Sequence, residues 1–98
     1  MAKYPAVYII TNKPLGVLYL GVSSDLPKRM YQHKNKLFDG FSQKYNLNRL
    51  VWFIMAETMY AAISEEKRIK RWNRTWKIEL IEKVNPDWDD LSLNWFED

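Results

Sequence analysis

Ninety-eight residues, 47% hydrophobic and 15% aromatic, are enough for one folded domain and too few for two. The absence of cysteine excludes a disulfide framework, a thiolate metal site and a cysteine nucleophile. No apolar run reaches the roughly 20 residues of a membrane span, and "MAKYPAVYII" running into "TNKP" makes a poor signal peptide. The expectation is a single cytoplasmic domain over residues 1–98. Charge is unevenly placed. Up to residue 84 the chain carries fifteen cations against seven acids, a net +8, whereas residues 85–98 hold five acids and no base. A basic body suits a polyanion such as nucleic acid, and it equally suits plain solubility.

"AVYIIT" (6–11) and "VLYLGVS" (17–23) are β-rich runs around "NKPLG" and predict a hairpin. A four-residue loop pairing Thr11 with Gly16 sets Tyr8 opposite Tyr19, with both phenols on one face. A loop one residue longer or shorter puts them on opposite faces. "SSDLPKRMYQHKNKLF" predicts a helix with Ser24 or Asp25 as N-cap and Pro27 in its first turn, its stripe formed by Leu26, Met30 and Leu37. "NRLVWFIMAE" (48–57) is a continuous apolar run and reads as a buried central strand.

A second helix follows from about Thr58 to Trp72, with Met59, Ala62 and Ile69 inward. A third covers about Arg74 to Val84, with Trp76, Leu80 and Val84 inward, and Asn85–Pro86 ends it. The acidic tail, 85–98, carries Trp88 and Trp95 and is expected to pack back on the body. The fold class is α+β, in the order β-β-α-β-α-α: a three-stranded, mainly antiparallel sheet flanked by helices.

Polar residues interrupt the apolar faces. On the second helix Glu66 falls roughly 40° from Ala62 and 60° from Ile69, inside the core-facing arc, while Glu65 points outward. On the first, His33 lies roughly 20° from Leu26 and Arg29 sits one turn earlier at the stripe's edge. On the third, Lys77 falls between Trp76 and Val84. Ordinary readings exist for each. Lys77 can snorkel, Arg29 can be a surface cation, His33 can be a satisfied half-buried histidine, and Glu66 can pair with Lys70 at i+4. One chemical reading covers Tyr8, Tyr19, Arg29, His33 and Glu66 together, if they converge. A carboxylate can hold a hard divalent ion, Arg can take phosphate oxygens, and Tyr or His can relay a proton. That set is suited to metal-assisted phosphodiester hydrolysis.

"AVY" (6–8), "YLG" (19–21), "KRMYQH" (28–33) and Glu66 in "SEEKRIKRW" resemble, in order and spacing, the GIY-YIG nucleases. The resemblance is to the small stand-alone bacterial members, related to the N-terminal nuclease domain found in the ABC excinuclease. It implies a DNA endonuclease, with a place in repair or recombination, that uses one divalent ion, Mg²⁺ or Mn²⁺. On it, Tyr8 and Tyr19 are the motif tyrosines and Arg29 stabilises the phosphate. His33 shares the proton transfer, Glu66 binds the metal, and Gly21 allows close approach. Lys28, Lys67, Lys70 and Arg71 become cations flanking the phosphate backbone, and Asn73 a candidate for a late polar residue.

The chain departs from the family pattern at Ala6, where the motif has Gly, and at Val22, where some relatives have Lys. A tyrosine base is difficult near neutral pH, because an unperturbed phenol titrates near 10. The sequence leaves open whether a cation lowers that value or His33 takes the proton. DNA is the expected partner, with no membrane and no small-molecule cofactor, and the chain a monomer or weak dimer. The alternatives are a nucleic-acid-binding module with little or no catalysis, or a protein-interaction domain using the tail.

Overall fold

The computed structural model describes residues 5–36 and 44–96. The strands are β1 (Ala6–Thr11), β2 (Leu18–Ser23) and β3 (Arg49–Met55). The helices are α1 (Leu26–Lys34), α2 (Met59–Lys70) and α3 (Arg74–Val84). Leu37, expected in the stripe of α1, lies outside the described residues. The strands form an antiparallel sheet ordered β2-β1-β3. The middle strand is thus β1, all six of whose residues are buried. Its continuous apolar run is what two covered faces demand.

β3 was expected at the centre and is an edge strand. Its first half is buried for a different reason: the tail covers its open side. Leu91 N donates to Leu50 O at 2.7 Å, and Leu50 N donates to Asp90 Oδ1 at 3.2 Å. Arg49 donates to Trp88 O at 3.0 Å, and the Asn85 amide to Val51 O at 3.0 Å. The tail thereby does for Leu50 what a fourth strand would do. Beyond that cover Ile54 and Met55 are each 48% exposed.

The hairpin closes two residues later than expected, with Tyr8 opposite Gly21, Ile10 opposite Tyr19 and Thr11 opposite Leu18. Side-chain bonds replace ladder bonds in the six-residue loop. Asn12 Oδ1 accepts from Val17 N at 3.0 Å and Thr11 Oγ1 donates to Lys13 O at 2.9 Å. Leu15 takes a φ of 58°, and a Cβ on Gly16 would stand 2.1 Å from Asn12 Oδ1. A shift of two preserves side-chain parity, so Tyr8 and Tyr19 still share a face.

That face packs Ala6, Tyr8, Ile10 and Leu50 against Leu26 and Met30 of α1 and against Leu47. The opposite face packs Val7, Ile9, Val51 and Trp52 against Ala62 and Ile69 of α2, Ile81 of α3 and Trp88. Each helix starts on a side-chain cap. Asp25 receives Lys28 N at 3.3 Å, Thr58 receives Ala61 N at 3.0 Å and Asn73 receives Trp76 N at 2.8 Å.

Two inward faces differ from expectation. Met59 of α2 is exposed, leaving Ala62, Ile69 and the half-buried Glu66 as the face turned to the sheet. In α3 it is Ile81, with the half-buried Ile78 and Leu80, that faces the core; Trp76 is 53% and Val84 67% exposed. The Asn85 bonds fix how α3 is rotated, and Trp76 rests instead edge-to-face on Trp72, ring centres 5.9 Å apart.

Candidate active site

The side chains of Tyr8 and Tyr19 leave one face of the β1–β2 hairpin, and α1 lays His33 across them. The three rings form a triangle, with centroids 6.4 Å (Tyr8–Tyr19), 5.9 Å (Tyr8–His33) and 6.1 Å (Tyr19–His33) apart. The Tyr8 hydroxyl lies 3.1 Å from His33 Nε2 in a buried contact. Gly21 makes this possible. A Cβ there would stand 2.7 Å from both Cζ and the hydroxyl of Tyr8 and 2.9 Å from Cε1 of Tyr19. The phenol of Tyr8 therefore occupies the space a side chain at position 21 would need. The close approach expected at this glycine is made by the protein's own tyrosine.

Electrostatics separate the roles of these groups. His33 is 7% exposed; burial and the Arg29 charge bring its pKa down from 6.5 to about 4. Near neutral pH it is therefore an uncharged imidazole with one nitrogen able to accept a proton. Burial, reinforced by Tyr19 and only partly opposed by Arg29, pushes the Tyr8 phenol above its usual range. It stays protonated.

Glu66 approaches the outer edge of β2 from the other side of the sheet. It lines a cavity of about 440 Å³ with Tyr19 and Gly21, along the outer edge of β2. The cavity also takes in Lys70 and Lys77, and Glu66 is its one carboxylate among the described residues. The i+4 pair between Glu66 and Lys70 does not form; Arg68 pairs with Glu65 instead. No group of three or more His, Cys, Asp or Glu able to hold a metal occurs among the described residues. One carboxylate in a roomy cavity, walled also by Leu18, Leu20 and Val22, fits a hard divalent ion that keeps most of its water, and not an ion needing several imidazole or thiolate ligands.

Of the five residues chosen from sequence, Tyr8, Tyr19, His33 and Arg29 gather on one face of the sheet, while Glu66 comes from the other face and shares a cavity with Tyr19 alone of them. The flanking residues divide. Lys28 is exposed and lines a separate cavity of about 380 Å³ with Ser23, Ser24, Asp25, Arg29 and Gln32. Lys70 joins the Glu66 cavity, while Lys67 and Arg71 are exposed and do not line it. Asn73 does not line it either: its side chain is occupied as the cap of α3. Lys77 does line it, although the arc between Trp76 and Val84 from which the sequence read it as inward is exposed in the fold.

The GIY-YIG catalytic domain model matches residues 4–79, most of the chain. The chain belongs to the GIY-YIG family. All five residues lie within the matched stretch. It is also 35% identical over 79 residues to the UPF0213 protein SSP2268 of Staphylococcus saprophyticus, covering 76% of this chain and 90% of that one. Among solved structures it resembles the solution NMR structure of the UPF0213 protein BH0048 from Bacillus halodurans. That match has a TM-score of 0.55 and 21% identity, and covers 91% of this chain and 95% of the other. It shows a shared fold. This is a small GIY-YIG protein of the UPF0213 kind, and the family is one of nucleases.

Proposed function

We propose that the protein is an endonuclease that hydrolyses DNA phosphodiesters with one divalent ion, Mg²⁺ or Mn²⁺, and serves DNA repair or recombination. The observation that carries this reading is the buried contact between Tyr8 and an uncharged His33, set over Gly21 beside Arg29. It is a ready-made path for one proton. An imidazole protonated on Nδ1 accepts from the Tyr8 O–H, so Tyr8 can take a proton from an attacking water as it passes its own to His33 Nε2. The water oxygen bonds to phosphorus as the ester P–O bond breaks, the departing oxygen takes a proton from solvent, and the phenol ends as it began, with the water's proton on His33 to be released afterwards.

Burial supports one answer to the question left open by the sequence: it disfavours the phenolate, which favours His33 as the base and Tyr8 as the relay. Arg29 tunes that base. In the free protein its charge helps hold the imidazole near 4. A phosphodiester bound beside the guanidinium offsets this charge and raises His33's affinity for a proton when substrate is present. Glu66 would hold the ion, whose charge would polarise the phosphoryl oxygens.

The test is nicking of supercoiled plasmid, and of single-stranded and branched DNA, with Mg²⁺ or Mn²⁺. Glu66→Ala should abolish cleavage while leaving the fold intact. Cleavage surviving that change overturns the metal assignment. Salt-dependent binding with no cleavage of any substrate makes the protein a nucleic-acid-binding module instead.

A further inference from the structure

The cavity along β2 holds two cations that the proposed hydrolysis does not use. Arg74 fixes one of them in place. Its guanidinium donates to the carbonyls of Leu15 and Gly16, each at 2.7 Å, and so fastens the start of α3 to the β1–β2 loop. Lys77 follows one turn later on that helix. It is half-buried and lines the cavity with Lys70, Glu66 and Tyr19. Neither lysine forms an ion pair with a carboxylate among the described residues. An ammonium with no carboxylate bonded to it is available to an anion that enters the cavity. Glu66 stands in the same cavity without an ion pair among the described residues, which keeps its oxygens available.

We propose that Lys77, supported by Lys70, is a phosphate-binding residue that holds the DNA backbone in the groove along β2, across the sheet edge from Arg29. This rests on the nuclease reading only for its catalytic consequence; the binding itself does not require cleavage. The groove carries two ammonium groups against one carboxylate, so it attracts a phosphodiester before any metal is bound. Guanidinium on one face and ammonium on the other would grip the backbone from both sides of the hairpin edge.

The experiment measures oligonucleotide binding by fluorescence anisotropy in EDTA across a salt series, for the wild type, Lys77→Met, Lys77→Gln, Lys77→Arg and Lys83→Met. Lys83 is exposed on the same helix and outside the groove. Loss of one phosphate contact lowers the slope of log K against log salt by about 0.7–0.9. That drop is expected for Lys77→Met and Lys77→Gln, with recovery in Lys77→Arg and none in Lys83→Met. Where the wild type cleaves, Lys77→Met should raise KM about 10-fold or more and leave the acid limb of the pH profile in place. Unchanged slopes in folded Lys77 variants, or an equal drop in Lys83→Met, overturn the assignment. A wild type that binds but never cuts overturns the nuclease reading alone, because the slopes still report on Lys77.

Discussion

His33 is the single histidine of the chain, so the pH dependence of folding can be assigned to one imidazole. Its folded pKa of about 4 lies below the 6.5 of an unfolded chain. The unfolded state therefore binds the extra proton first, and stability falls as pH drops below 6.5. At pH 5 an unfolded histidine is almost wholly protonated and the folded one about a tenth so. The loss between pH 7 and pH 5 comes to about 2 kcal/mol, reaching about 3 kcal/mol by pH 4, where it begins to level off. For a domain of this size, 2 kcal/mol corresponds to roughly 8–16 °C in Tm.

Asp90 does not blur this window. Burial works to raise its carboxyl, but bonds from Lys34, Ser92 and Leu50 outweigh burial and hold it below the usual range. Its stability contribution is complete above the ordinary carboxylate value and drains away only at more acid pH. Urea denaturation at pH 7, 6 and 5, for the wild type and His33→Gln, isolates the histidine part, and an NMR titration of the imidazole reads the pKa directly. The wild type should lose about 2 kcal/mol across that range and the variant should lose little. An imidazole titrating near 6.5, with flat stability from pH 7 to 5, would refute the buried, Arg29-facing placement of His33.

Two further outcomes are expected. Gly21→Ala forces the Tyr8 phenol away from His33 and should destabilise the fold by about 1–3 kcal/mol. It should also lower any cleavage rate by about 100-fold; an unchanged melt and rate would mean that the phenols yield freely. Asp90→Ala removes the acceptor for Leu50 N–H, the Lys34 ion pair and the Ser92 bonds, and should cost about 2–4 kcal/mol. Faster hydrogen exchange at Leu50 checks it, and exchange at the wild-type rate would show that the tail is not the partner of that edge.

Local chemistry made much of this structure readable in advance. The hairpin, the cap at Asp25 (one of the two offered) and the inward turn of Glu66 follow from periodicity and from side chains that bond to nearby backbone. Long-range choices were harder to read. The apolar run of β3 has the same composition whether a strand or the tail covers its far side, and only the bonds from Leu91 and Asp90 distinguish the two. The hairpin register depended on Asn12 and Thr11 bonding within the loop, which strand propensity does not encode. On α3 the rotation is set by Asn85 reaching Val51 O, thirty-four residues away in sequence, so Trp76 and Val84 faced outward although their spacing suited a core. In the site the residue types were legible, while the opposite pKa shifts of Tyr8 and His33 required burial, a property of the assembled fold.

The seal on β3 has a consequence during synthesis. Leu50 leaves the ribosome about forty residues ahead of Asp90 and Leu91, which satisfy its backbone. At ordinary elongation rates that interval lasts seconds, long compared with hairpin closure in microseconds. Throughout it the nascent sheet presents an unmated strand bearing Leu50, Val51 and Trp52, the kind of edge on which chains join one another. A chain that stops short of Asp90 keeps that edge open, so shortened forms should clump rather than merely soften, and the acidic stretch acts as the gatekeeper that ends the exposure.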